Sequence, residues 1–372
     1  GGKYYVIRNS SSIIAFEMPK KDFGAFMICA SHTDSPSFKL KPDFEINADG
    51  CIKLSVEGYG GMIMSSWLDR PLSISGRIVT AKNGKVETKL VNIDRDLLVI
   101  PSLAIHMSRD INKGYEFNIR RDMCPIASEK NGRIEDIIAE NVGVDKEEIL
   151  GFDLSLYNRM RGTVLGADGE YFSAPRIDDL QCMYSTLEGF LNSESDDNVN
   201  VFAAFDNEEV GSGTKQGAKS SFLRDVLERI CNNSETYKRA VAKSFMLSCD
   251  NAHAVHPNFA DKSDGTNRVY MNGGIVIKYN ANQRYTTDAV SEAVVKYVCK
   301  NAGVPYQMYA NRSDIPGGST LGNLSNEKVS LNTADIGLAQ LAMHSSYETA
   351  GSRDTEYMVK MIKEFYKTEI VL

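Results

Sequence analysis

The sequence predicts an α/β fold: a mixed central sheet flanked by helices, with a β-rich domain inserted into it. Three observations lead there. Short apolar runs at residues 23–30, 199–205, 244–249 and 274–279 have the length and composition of strands buried on both faces. Apolar residues at helical spacing follow such stretches, as Leu180, Met183, Tyr184, Leu187 and Leu191 do. Between residues 41 and 171 the pattern changes to β-rich pieces punctuated by turns. Residues 1–40 with 172–372 are therefore expected to form one domain, and residues 41–171 a second one inserted into it.

Composition narrows the class. A chain of 372 residues is long enough for about two cores. Its hydrophobic content of 42% and charged content of 24% are those of an ordinary globular protein. The net charge of −7, with Lys and Arg scattered, argues against nucleic acid as a partner. Seven cysteines, an odd number without CxxC spacing, point to reduced thiols and a cytoplasmic setting. No apolar run approaches the roughly 20 residues of a membrane helix, and no signal peptide opens the chain, so no membrane association is expected.

Residues 4–16 read as two short strands joined by a polar turn. The strand at 23–30 runs into Ser31-His32-Thr33-Asp34. A lone histidine after a strand is ordinarily structural, but Asp34 is placed to accept the second ring N–H and orient the imidazole for a metal. In the insert, CIKLSV, LSISGRIVT, KVETKLVNI and LLVIPSLAIHM read as β-rich pieces, Asn83-Gly84 as a turn and residues 134–150 as a small helical patch. His106, within it, reads as a surface histidine.

Asp178 and Asp179 stand at the entry to an amphipathic helix, where N-capping is a common use of Asp. The run 199–205 ends abruptly in Asp206-Asn207-Glu208-Glu209, then turns at Gly211 and Gly213. An isolated Glu pair is ordinarily a solvated turn. A helix around 221–230 turns Leu223, Val226, Leu227 and Ile230 inward, and the strand at 244–249 ends on Asp250, with His253 and His256 beyond. Lys278, taken alone, is an exposed strand-end lysine. The next helix has Val290, Val294, Tyr297 and Val298 as its apolar face and stops at Gly303. The glycine-rich loop at 313–322 lacks the features of a phosphate or dinucleotide loop. Residues 329–341 lead to His344, and a final helix, N-capped by Ser352, buries Met358, Met361, Ile362 and Phe365.

Each of these polar residues has a dull explanation alone. Together, His32, Glu208, Glu209 and Asp250 follow strands, Asp178 opens a helix and His344 ends an apolar segment. Chemistry gathers at the carboxyl ends of strands in open α/β sheets. Two imidazoles and at least three carboxylates on one edge would cost many kcal/mol if left uncompensated. Divalent cations are the expected compensation, and the His/carboxylate mix suits Zn²⁺, with Mn²⁺ or Co²⁺ as substitutes.

The strings SHTDSP, PRIDDL, AFDNEEVGS, SCDNAHAVHPN and QLAMHS resemble, in order, the motifs of the M18 metallopeptidases, the aspartyl aminopeptidases. The resemblance covers essentially the whole chain and implies a zinc-peptidase, phosphorylase/hydrolase-like catalytic domain whose insert serves oligomerisation. It also implies an N-terminal helical segment that this sequence lacks. It implies two divalent cations, with Asp178 bridging both, His32 and Asp250 completing one, and Glu209 and His344 the other. Asp178 is preferred to Asp179 because it directly follows Pro-Arg-Ile. Glu208 would deprotonate a hydroxide-forming water shared by the ions, and Asp34 and His253 would support the ligands. Lys278 and His256 would contact a peptide substrate with an N-terminal Asp or Glu. The family forms tetrahedral dodecamers built from dimers, in which His106 would reach a neighbour's active site. A broad-specificity metalloaminopeptidase or a deacylase could use the same cage, and a catalytically idle metal-binding scaffold is the rival from another class.

Overall fold

The computed structural model describes residues 2–130, 132–194 and 197–371. It divides into two compact units: Gly1–Ser35 with Thr163–Met343 and Glu348–Leu372, and Pro36–Gly162 with His344–Tyr347.

The first unit is built on an eight-stranded sheet, ordered Gly2–Arg8, Ser12–Met18, Val199–Phe205, Phe26–His32, Phe245–Cys249, Asn332–Gly337, Ile275–Tyr279 and Tyr306–Ala310. Its four central strands, from Val199–Phe205 to Asn332–Gly337, are mutually parallel. The first three are buried at every position, as expected of strands covered on both faces. Helices Ile177–Leu191, Ala289–Ala302 and Asp354–Lys367 share one apolar core with the sheet. Helices Phe222–Ile230, Ser234–Ala242 and Leu321–Asn326 share another. A smaller five-stranded sheet runs Thr163–Leu165, Tyr171–Ala174, Glu348–Gly351, Ala339–Leu341 and Ala252–His253.

The second unit holds a six-stranded antiparallel sheet, ordered Lys85–Asn92, Leu72–Lys82, Ile149–Asn158, Ser37–Ala48, Cys51–Tyr59 and Ile126–Glu129. Asn83 (φ 51°) and Gly84 (φ 75°) close the hairpin of Leu72–Lys82 and Lys85–Asn92 with the left-handed pair that tight hairpins favour. Phe38 and Trp67 meet edge to face in its core, ring centroids 5.3 Å apart.

Three expectations need correction. LLVIPSLAIHM is not a strand: only isolated bridges form at Leu98 and Val99, Leu103 is exposed, and Ile105 and Met107 are exposed in a turn. In helix Ala289–Ala302 the buried face is Ser291, Val295, Val298 and Cys299, whereas Val290 and Tyr297 face outward. Ser291 is turned inward because it completes a capping box with Asp288, which fixes the rotation of the first turn. The last helix is preceded by Arg353, not capped by Ser352.

Candidate active site

His32 is the last residue of its strand, and strand register sets what lies around it. Phe205 pairs with His32 and Ser248 with Ala30, so three parallel strands end level with one another. Asp250, two residues past Ser248, follows onto the same edge. The His32 Nδ1 lies 3.1 Å from the Asp34 carbonyl oxygen and 3.4 Å from Asp34 Oδ1, while Nε2 faces Asp178 Oδ1 at 3.4 Å. An Nδ1–H directed at Asp34 puts the imidazole lone pair on Nε2, the form in which it ligates a metal.

Asp34 also organises the next strand's end. Its Oδ1 accepts the Glu208 N–H and its Oδ2 the Glu209 N–H, each at 3.1 Å. These glutamates occupy a tight turn, Glu208–Val210, bounded by Asn207 (φ 62°) and Gly211 (φ 91°) in the left-handed region. Asn207 tolerates that region as few residues do, and its Oδ1 accepts from Thr214 and Gln216. One residue thus fixes an imidazole through its carbonyl and the backbone of two acidic residues through its carboxylate.

The helix entry supplies the remaining acids. Arg176 has φ 61°, and Asp178 and Asp179, joined by a cis peptide bond, depart from helical geometry, so neither is a simple N-cap. The Asp178 N–H donates to Glu348 Oε2 (3.0 Å), and its carbonyl accepts from Ser35 Oγ (2.8 Å). Asp179 is fully buried. Its Oδ2 accepts the His32 N–H at 3.1 Å, and its Oδ1 has no hydrogen-bond partner among the described residues.

His32, Asp178, Asp179 and Asp250 each offer a ligand atom, all within 4.8 Å of one another, and His32, Glu208 and Glu209 do likewise. Burial and Asp250 push the Glu208 carboxyl up to about 7. Burial also drives Asp179 well above the usual carboxylate range, and raises Asp250 despite the opposing Lys278. For His32, burial acts against the charged ring, but Asp179, Asp178 and Asp34 outweigh it and the pKa rises well above the ordinary value. A buried cluster of carboxylates facing one another, with an orphaned Asp179 oxygen and an imidazole Nε2 turned inward, is a donor set that fits divalent cations. Asp179, the alternative to Asp178 as the bridging residue, offers a ligand atom to the same cluster.

Lys278 is 3% exposed, not an open strand end. Its Nζ donates to the Asn251 carbonyl (2.7 Å), lies 3.6 Å from Asp250 Oδ1 and stands 5.5 Å from the Tyr285 ring centre. His253 is exposed and His256 half-buried; both line a cavity of about 400 Å³ with Phe259, Tyr309 and Arg312. The His256 Nδ1 accepts the Asn258 N–H at 3.2 Å.

His344 groups with the second unit. It adopts φ 67°, rare for a residue with a side chain, and its Nδ1 meets the Gly61 carbonyl at 2.6 Å, again placing the lone pair on Nε2. His106, also in that unit, is exposed within a turn. Sequence reasoning passed over Asn251, Gln340 and Glu348, at most 2% exposed and hydrogen-bonded around the site, because an amide or a lone Glu carries no signature of its own.

Residues 1–366 match the family described as "Aminopeptidase I zinc metalloprotease (M18)". The chain is 46% identical over 383 residues to a "Probable M18 family aminopeptidase 2" of Clostridium acetobutylicum, covering 98% of this chain and 88% of that protein. Its fold matches a protein in the "Cryo-EM structure of the Ape4 and Nbr1 complex" with a TM-score of 0.96 at 35% identity, covering 100% of this chain and 78% of the other. It also matches the "S. cerevesiae mApe1 dodecamer" with a TM-score of 0.85 at 29% identity, covering 99% and 85% of the two chains.

Proposed function

The chain belongs to the M18 family of zinc metallopeptidases and is an aminopeptidase; from that premise we propose that it uses two cations and prefers peptides beginning with Asp or Glu. His32 and Asp250 would hold one cation, Glu209 and His344 the other, and Asp178 both. Bound there, the cations would supply Lewis-acid polarisation of the scissile carbonyl and a more acidic water.

Glu208 takes the proton of the attacking water and returns it to the leaving amine. With its carboxyl pushed up to about 7, mainly by burial, it can hold or release a proton near neutrality, as both steps require. Asp34 keeps Glu208 and Glu209 in place through their backbone N–H groups and keeps His32 oriented. The free α-amino group of the substrate meets the acidic cluster, which limits cleavage to the first residue. The observation that carries this reading is the convergence of His32, Asp178 and Asp250 within 4.8 Å, with Glu208 beside the imidazole.

The acidic preference rests on the buried ammonium of Lys278, and His256, which lines the cavity of about 400 Å³, would contact the peptide. The mApe1 relative is a dodecamer, and by analogy this chain assembles into a tetrahedral dodecamer in which the exposed His106 steadies the developing oxyanion of a neighbour's substrate. Its seven cysteines are free thiols, in keeping with a reducing cytoplasm. Among the described residues no helix is long and apolar enough to cross a membrane.

The test is Glu208→Gln, with zinc counted and turnover followed on Asp-, Glu- and Leu-anilides. Zinc content should hold while kcat falls by about 10²–10⁴. Turnover at the parent rate with both metals bound would contradict the mechanism, and equal rates on all three anilides would make the protein a broad aminopeptidase.

A further inference from the structure

Next to the ligand cluster lies a buried hydrogen-bonded layer that the proposed chemistry does not use. Asn251, 2% exposed, is its hub. Its Oδ1 accepts from Cys182 Sγ (3.0 Å), and its Nδ2 donates to Gln181 Oε1 (2.9 Å) and Gln340 Oε1 (2.8 Å). Gln181 is anchored on Thr355 Oγ1 (3.1 Å), and Gln340 on Glu348 Oε1 (3.2 Å). The other Glu348 oxygen receives the Asp178 N–H (3.0 Å). Both amide hydrogens of Asn251 are spent, so the side chain cannot turn without stranding buried acceptors.

That immobility is passed to the backbone. The Asn251 carbonyl accepts from Lys278 Nζ at 2.7 Å, whereas Asp250 Oδ1 stands 3.6 Å from the same ammonium, beyond hydrogen-bond distance. The carbonyl supplies the hydrogen bond that directs the ammonium, and the Asp250 carboxylate is its ion-pair partner. An ammonium has three donors, and one is directed at this carbonyl.

We propose that Asn251 is the positioning residue for substrate selection: clamped by Gln181 and Gln340, it holds the Lys278 ammonium where the acidic side chain of the first substrate residue is met. This rests on Lys278 being the specificity contact. An isosteric apolar residue would fill the same space yet release the clamp, so packing and positioning can be told apart.

The experiment compares Asn251→Leu and Gln340→Met with the parent, using Lys278→Leu as the reference for lost selectivity. Zinc content, kcat and KM are measured on Asp-, Glu- and Leu-anilides. Separately, acetylation of Lys278 by acetic anhydride is timed in the zinc-free protein by peptide mass spectrometry. Asn251→Leu should raise KM for the acidic substrates and cut the acidic-over-neutral ratio of kcat/KM by about tenfold or more, approaching Lys278→Leu. Zinc content and kcat/KM on the Leu substrate should fall by less than kcat/KM on the acidic ones, and Lys278 should acetylate faster. Gln340→Met should move the same readouts the same way by less. An equal loss on every substrate, or acetylation at the parent rate in both variants, would overturn the proposal. A parent indifferent to acidic residues would instead remove the specificity role of Lys278, a distinguishable result because acetylation would still quicken in Asn251→Leu.

Discussion

Asp34 shows how much one residue can determine in this site. Two residues after His32, it fixes the imidazole through its carbonyl and the Glu208–Glu209 turn through its carboxylate. The sequence suggested the Asp34 carboxylate for the first task, whereas its carbonyl oxygen is the nearer to Nδ1, and was silent on the second, which depends on a segment 174 residues away. Protonation is the other matter decided at this scale. His32, Asp179 and Asp250 all have raised pKa values, and Glu208 is pushed up to about 7. A raised carboxylate pKa means that the proton persists to higher pH and must be displaced by a cation. Zinc affinity should therefore fall as pH is lowered, because protons compete for the same donor atoms. Calorimetric titration at pH 6.5 in two buffers of different ionisation enthalpy should reveal proton release; identical heats would show that the cluster is already deprotonated. The amides around it, Asn251, Gln181 and Gln340, were not legible in the sequence, since their value lies wholly in partners brought by folding.

Among elements, strands were the most legible. The run 199–205 matches its observed bounds, because a strand buried on both faces is apolar at nearly every position. Helix faces were less so. In Ile177–Leu191 the buried side includes Cys182, Ser185, Thr186 and Gly189, while Tyr184 and Leu191 are exposed. Small residues let this helix approach closely, a Cβ at Gly189 falling 2.4 Å from Ile362, and size-blind apolar periodicity cannot see that. The same crowding yields a prediction on Asn332–Gly337. A Cβ at Gly337 would stand 1.9 Å from the Asp250 carbonyl oxygen. Gly337→Ala should force the Asp250 strand end to move, costing about 1–3 kcal/mol and weakening zinc binding. Parent-like thermal unfolding and zinc affinity would show that this close approach is unimportant.

For the whole molecule, the shift from apolar runs to β-rich pieces was visible near residue 41, but not that His344–Tyr347, so distant in sequence, groups with Pro36–Gly162. The exposed Leu103, Ile105 and Met107 flanking His106 make sense if another copy covers them, which periodicity within one chain cannot report. Light scattering should give a mass near that of a dodecamer, and mixed assemblies of His106→Ala and Glu208→Gln subunits should recover part of the activity that each lacks alone. A stable monomer, or mixtures that remain inactive, would remove the role of His106 in trans. All of this depends on the acidic nest being a cation cage. Anomalous diffraction at the zinc edge from zinc-loaded crystals tests that most directly. Two peaks about 3.5–4 Å apart, bounded by His32, Asp178, Asp250 and Glu209, are predicted; zinc bound elsewhere, with none among these residues, would contradict the account.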